Sequence, residues 1–157
     1  MFAIEMEIAR PVCEVFPRLA KIEDSPLWYS AVDSVDRIDP GPTRAGTRFH
    51  FRRQLGGNDA VNEVEVTAFE PNRALELTSL SGPTPFVYHY NVEPAGAGTL
   101  LRLDGAISGR GLDGPMALLR PLAEAFFRSG MVDNLASLKR LIENDTPVSR
   151  RASVDGA

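Results

Sequence analysis

Residues 112–145 read LDGPMALLRPLAEAFFRSGMVDNLASLKRLIEND. Projected at about 100° per residue, Met116, Ala123, Phe127, Met131, Leu138 and Leu141 fall on one face, and Leu119, Phe126, Leu135 and Ile142 flank it. Glu124, Arg128, Lys139 and Glu143 take the opposite side. The pattern predicts one long amphipathic helix with a flaw near its start. Pro121 cannot donate a backbone hydrogen bond and disfavours helical geometry at Arg120, so we expect a short piece over 114–120, a kink, and a main run over 121–144. Asp113, Gly114 and Pro115 suit a helix start. Asn134 projects onto the centre of the stripe with Gly130 beside it, and a mid-helix glycine costs about 1 kcal/mol against alanine. Gly130 therefore marks a close approach or room for a ligand. A stripe this wide must lie across a broad apolar surface.

The middle of the chain supplies that surface. Residues 2–9 alternate, with Phe2, Ile4, Met6 and Ile8 on one side and Glu5 and Glu7 on the other, which is a half-buried strand. Val12, Val15, Phe16 and Leu19 then recur at helical spacing over 11–20, in a helix that Pro17 keeps short. A second short helix is expected over 25–29, with Pro26 in its first turn and Trp28, the chain's one tryptophan, inside it. Six strand-like segments follow near 32–39, 46–55, 60–69, 73–80, 85–93 and 98–108. Turn residues separate the last five: 56–59 (GGND), 70–73 (EPNR), 81–84 (SGPT) and 94–98 (PAGAG). Short connections make neighbouring strands antiparallel hairpins.

Centring each turn pairs the strands. One row becomes Phe49, Val66, Leu77, Tyr88 and Leu103; its neighbours are Thr47, Ala68, Leu75, Tyr90 and Leu101, and Phe51, Val64, Ser79, Phe86 and Gly105. All three rows point to one face, and nearly every member is apolar or aromatic. The other face carries Arg48, Thr67, Glu76, His89 and Arg102, with Arg52 opposite Glu63 and His50 opposite Glu65. Opposite charges across strands suit a solvated sheet face. A one-residue slip would invert every assignment, so the agreement of four separate turns argues for a meander.

The expected fold class is therefore α+β: a seven-stranded curved antiparallel sheet wrapped around a long C-terminal helix, with two short helices after the first strand. This is the helix-grip arrangement. The chain resembles the START-like or SRPBCC superfamily, of the polyketide cyclase/dehydrase type. The resembling stretches are PVCEVF at 11–16, PLW at 26–28, GTRF at 46–49, EPNRAL at 70–75, GTLL at 98–101 and LASLKRLIE at 135–143. Their order and spacing cover roughly residues 2–145. The resemblance implies a pocket between helix and sheet for a small hydrophobic or aromatic molecule. It implies no particular reaction, because one fold hosts many functions.

At 157 residues we expect one domain over 1–145 and a disordered tail over 146–157. A net charge of −4 gives no electrostatic footprint for nucleic acid. Cys13 is the only cysteine, which forbids an internal disulfide and fits a reducing, cytoplasmic setting. No apolar run approaches 18 residues, so no membrane span or signal peptide is expected. The oligomeric state stays open.

Several motifs are weighed and set aside. Residues 109–114 spell GRGLDG, a G-x-G-x-x-G after a strand. A dinucleotide site also needs a later parallel strand ending in an acid, which the chain does not offer, so we read a linker near the pocket mouth that can gate it. His50 and His89, the only histidines, fall outward beside carboxylates, and no metal site, cofactor or serine triad is expected. Cys13 has no inward histidine partner and is read as a buried structural residue. Glu5, Glu7, Glu63 and Glu65 alternate with buried residues and project to solvent. Arg150 and Arg151 before Ser153 have the form of a kinase site, common by chance in an arginine-rich chain.

The ligand-binding candidates are the polar groups at inward positions, Ser79, Tyr88, Tyr90 and Asn134, with apolar walls from Trp28, Phe49, Phe51, Val64, Val66, Leu77, Phe86, Leu103, Met116, Leu119 and Phe126. An apolar pocket with a few convergent polar groups is the usual small-molecule site, although tyrosine rings also serve as plain core. A carrier, sensor or sequestering module is the first expectation. The alternative is a cyclase/aromatase in which Tyr88 or Tyr90, with Asn134, polarises a carbonyl during aldol closure or dehydration. A third is a chaperone- or quinone-associated interaction protein.

Overall fold

The computed structural model describes residues 1–55, 57–107 and 120–145. The linker 109–114, Met116, Leu119, nearly all of the expected first helical piece, and the tail with Ser153 lie outside the described residues. The elements are β1 (Phe2–Ile8), α1 (Val12–Ala20), a 3₁₀ segment (Ile22–Leu27), β2 (Val32–Arg37), β3 (Arg48–Leu55), β4 (Asn58–Glu70), β5 (Ala74–Ser81), β6 (Phe86–Ala95), β7 (Gly98–Ile107) and α2 (Arg120–Asn144). The second short helix is thus a 3₁₀ segment that starts three residues earlier than the expected 25.

The strands form one seven-stranded antiparallel sheet in the order β1-β7-β6-β5-β4-β3-β2. Its inward face carries Phe49, Phe51, Val64, Val66, Leu75, Leu77, Phe86, Tyr88, Tyr90, Leu101 and Leu103, all buried. The helix-grip α+β class is confirmed, and so is the meander.

Two registers differ from the expected ones by two residues. Phe49 pairs with Val64, not Val66, and Tyr88 pairs with Gly105, not Leu103. Both hairpins close more tightly than a centred four- or five-residue turn allows. Leu55 pairs with Asn58 and Ala95 with Gly98, leaving two-residue connections. Gly57 (φ 84°) and Gly96 (φ 61°) make these tight turns accessible, because positive φ costs glycine little. Strand parity is unchanged by a shift of two, so the face assignments in these two hairpins survive. His50 consequently faces Glu63, and Arg52 faces Val61. A bulge in β4 puts Ala68 across from Glu76 and Phe69 across from Leu75, so the expected inward place of Ala68 is corrected: the extra residue reverses the parity and Phe69 packs on the core instead. The outer face is charged as expected: His89 Nδ1 lies 3.1 Å from Glu76 Oε2, and Arg102 reaches Glu5 and Asp104.

In α1, Val15, Phe16 and Leu19 turn inward. Cys13 is exposed, which corrects the buried assignment; it lies about 100° from Val12 and off the inward stripe.

Helix α2 buries Met131, Leu135, Leu138 and Ile142. Its second half is tied to the start of the chain. Ala9 N donates to Glu143 Oε2 (2.7 Å), Arg10 Nη2 to the Glu143 carbonyl (2.7 Å), and Lys139 Nζ to the Glu7 carbonyl (2.6 Å). The stripe continues backward only as half-buried Phe127 and Ala123. Phe126 lies one residue off that line and is 76% exposed, so its assignment as an inward wall is corrected. Among the described residues no helix is long and apolar enough to cross a membrane.

Candidate functional site

The inward face of the sheet meets α1 and the 3₁₀ segment around a small enclosed space. Phe51, Leu75, Leu77, Phe86, Tyr88 and Tyr90 line it from the sheet; Leu19, Ile22, Ser25, Trp28 and Tyr29 close it from the other side. Its volume is about 10 Å³, room for roughly one water. This described cavity is therefore bounded by the short helices, not by the C-terminal helix. The cause is the placement of α2, whose buried half follows β1 and α1.

Tyrosine hydroxyls supply the polarity. Tyr29 Oη lies 3.4 Å from Tyr88 Oη, and either can donate. The Tyr88 ring stacks on Phe86 with centroids 4.7 Å apart. Burial pushes the Tyr29 hydroxyl pKa up, with the Tyr88 hydrogen bond and the nearby Arg53 charge pulling it partly back. Burial raises Tyr88 well above the ordinary value, reinforced by Tyr29, and burial raises Tyr90 as well. All three stay protonated at neutral pH and can donate. Trp28 Nε1 is buried and has no acceptor among the described residues. Indole N–H can only donate, so an acceptor brought by a ligand would satisfy it.

Arg53 completes the group, and sequence reasoning missed it. It is 4% exposed. Its Nε donates to Asn62 Oδ1 (3.0 Å), and its Nη2 donates to the Pro83 carbonyl (2.7 Å) and Thr84 Oγ1 (2.8 Å). Its Cζ lies 5.6 Å from the Phe86 ring centre. Every hydrogen-bond partner is neutral; among the described residues no carboxylate forms an ion pair with it. A buried guanidinium without a counter-charge projects positive potential into its surroundings. The signal was present in the sequence: the inward parity of Thr47, Phe49 and Phe51, carried one step further, reaches Arg53. The same step back from Val66 and Val64 reaches Asn62, which is fully buried. Asn62 Nδ2 donates to Ser79 Oγ (2.9 Å) and to the Ser81 and Pro83 carbonyls (3.1 and 3.0 Å). Together Arg53 and Asn62 strap the β5–β6 loop across this end of the sheet. Gly82 belongs to the strap: a Cβ there would collide with the Val61 carbonyl and the Asn62 side chain.

The remaining candidates fall elsewhere. Phe49, Val64, Val66 and Leu103 are buried core beside the cavity and do not line it. Ser79 is engaged with Asn62. Asn134 is buried, but its Oδ1 accepts from Ser30 N (3.1 Å) and Ser30 Oγ (3.2 Å), while its Nδ2 faces Met131 Sδ. It clamps α2 to the turn after the 3₁₀ segment.

A curved sheet, a C-terminal helix and an inward-facing apolar space with a few convergent polar groups define a START-like helix-grip protein. The chain belongs to the polyketide cyclase/dehydrase and lipid transport family, whose profile matches residues 1–143. Solved structures share the fold at low identity. The Zhui aromatase/cyclase from Streptomyces sp. R1128 is 14% identical, with a TM-score of 0.71 over 90% of this chain and 92% of that one. A START superfamily protein from Mycobacterium smegmatis is 18% identical, with a TM-score of 0.68 over 92% and 98%. A protein from Thermus thermophilus is 17% identical, with a TM-score of 0.70 over 89% and 94%. No curated protein matches the sequence.

Proposed function

We propose that this protein, as a single domain over residues 1–145, binds a small apolar or aromatic molecule between the sheet's inward face and the helices, as a cytoplasmic carrier, sensor or sequestering protein. The observation that carries this is Trp28 Nε1, an unpartnered buried donor at an apolar cavity with the Tyr29–Tyr88 hydroxyl pair beside it. Family membership supports the reading, and a lone, exposed cysteine suits a reducing compartment. The enclosed volume is smaller than an aromatic ring, so binding moves lining side chains apart. Native mass spectrometry of protein purified gently from its own host tests the idea. An excess mass that leaves on denaturation is expected; a bare protein that also fails to take up naphthalene-sized probes would sink it.

A second reading is favoured by the same hydroxyls. Tyr88, with Tyr29 beside it and Arg53 behind, can polarise a ketone during aldol closure or dehydration, as expected of a cyclase. Tyr90 is the other candidate. A Tyr88→Phe variant that still binds but no longer turns over a poly-β-ketone chain supports this reading; unchanged turnover removes Tyr88 from it.

A further inference from the structure

We propose that the ligand carries one ionised oxygen, a carboxylate or phenolate, and that the site holds it as an anion through the Tyr29–Tyr88 hydroxyls and Trp28 Nε1, with Arg53 supplying the compensating charge. This rests on the binding reading above and adds the ligand's charge to it.

The argument is a count of donors against acceptors. Two tyrosine hydroxyls at 3.4 Å share one hydrogen bond between them, which leaves one O–H proton free. Trp28 Nε1–H is a second free donor, and it cannot accept; Tyr90, which also lines the cavity, brings a further hydroxyl. Arg53 spends its Nε and Nη2 protons on Asn62, Pro83 and Thr84, and its guanidinium also acts on the Tyr29 hydroxyl by charge and hydrogen bonding. The site therefore offers donors and a cation, and all of its fixed partners are neutral. The charged or titratable groups acting on the hydroxyl pair are Arg53 and Tyr90. Among the described residues no carboxylate lies within ion-pair distance of the guanidinium. A neutral ligand would leave the guanidinium without a counter-charge, whereas an oxyanion supplies one and accepts from the free donors. Charge-assisted hydrogen bonds are roughly twice as strong as neutral ones. Placing an anion there also offsets the cost of keeping Arg53 out of water.

The test compares three probes of one shape on the intact protein by calorimetry: naphthoate, its neutral ketone analogue acetonaphthone, and methylnaphthalene. The expected order is naphthoate tightest, by about tenfold or more over acetonaphthone. Naphthol binding at neutral pH should release a proton, seen as a heat that changes between buffers of different ionisation enthalpy. Equal affinities for all three probes would overturn the anion and leave the apolar pocket standing. Failure of all three to bind would overturn the pocket reading and this one with it. In Arg53→Gln, naphthoate should lose far more affinity than acetonaphthone, so that the ratio between them collapses, a split that a purely structural arginine would not produce. If Arg53→Gln fails to fold, Trp28→Phe and Tyr29→Phe take its place. Each keeps an aromatic ring, and each should narrow the naphthoate-to-acetonaphthone ratio severalfold; an unchanged ratio in both counts against the proposal.

Discussion

Tyr29, Tyr88 and Tyr90 are the only tyrosines in the chain, and all three are buried at one cavity. Their titration therefore reports that cavity alone. Burial raises each folded-state pKa above the unfolded value of about 10. A raised tyrosine pKa means the unfolded chain gives up its proton first. The stability these groups contribute is complete below about pH 10 and is lost as pH climbs above it. Tyrosinate absorbance should appear together with loss of near-ultraviolet circular dichroism, in one transition above about pH 10. A separate tyrosine titration in protein that keeps its native signal would contradict the burial argument. Asn62 offers a second test at this scale. Asn62→Ala strands Arg53 Nε and removes the contacts that the two Nδ2 protons share among Ser79, Ser81 and Pro83. Each buried group left unsatisfied costs about 1–3 kcal/mol, so urea unfolding should show a loss of about 2–4 kcal/mol.

Helix α2 divides into two parts that differ in what they hold. Leu138→Ala, in the buried stripe, should cost about 2–5 kcal/mol, while Phe126→Ala on the exposed side should change stability by less than about 0.5 kcal/mol. Equal costs in a denaturant series would refute the division. The helix, the strands and the facing of nearly every strand residue were legible because apolar period decides them; the bulge that turns Ala68 out and Phe69 in was not, because both are apolar. Hairpin closure was not, since Gly57 and Gly96 permit two-residue turns that hydrophobic alternation does not distinguish from four-residue ones. The site was legible in its rings. Trp28, Phe51, Phe86, Tyr88 and Tyr90, with Leu77 among them, line the cavity. Its charge was not: Arg53 sits on an inward parity in a run of three polar residues, Arg52, Arg53 and Gln54, where alternation carries no contrast. Asn134, central in the helical stripe, looked aimed at a ligand. Only the path of the chain through Ser30 shows its partner.

At the scale of the molecule, β1 is joined to both ends of the fold. It pairs with β7 from Phe2 opposite Gly105 to Ile8 opposite Thr99, and the chain just beyond it is bonded to the last turns of α2. The Phe2 ring occupies the space that a side chain at Gly105 would need. β1 and the second half of α2 should therefore open as one unit, distinct from the β4–β5–β6 hairpins. Native-state hydrogen exchange at rising denaturant should give amides in Phe2–Ile8 and Met131–Ile142 a shared opening free energy below that of β5. Protection of β1 independent of α2 would count against that coupling.

The pairing of β1 with β7 also sets an order of events at the ribosome. The hairpins from β3 to β7 can each form as soon as two adjacent strands have emerged. The partner of Phe2–Ile8 is not complete until about 100 residues later, which at cellular elongation rates is on the order of ten seconds. Throughout that interval Phe2, Ile4 and Ile8, all buried in the finished protein, have no strand to lie against. Closing so long a loop is entropically expensive and comes late. β1 is thus made well before its partner yet is among the last strands of the sheet to pair, and its apolar side stays open to a chaperone until then.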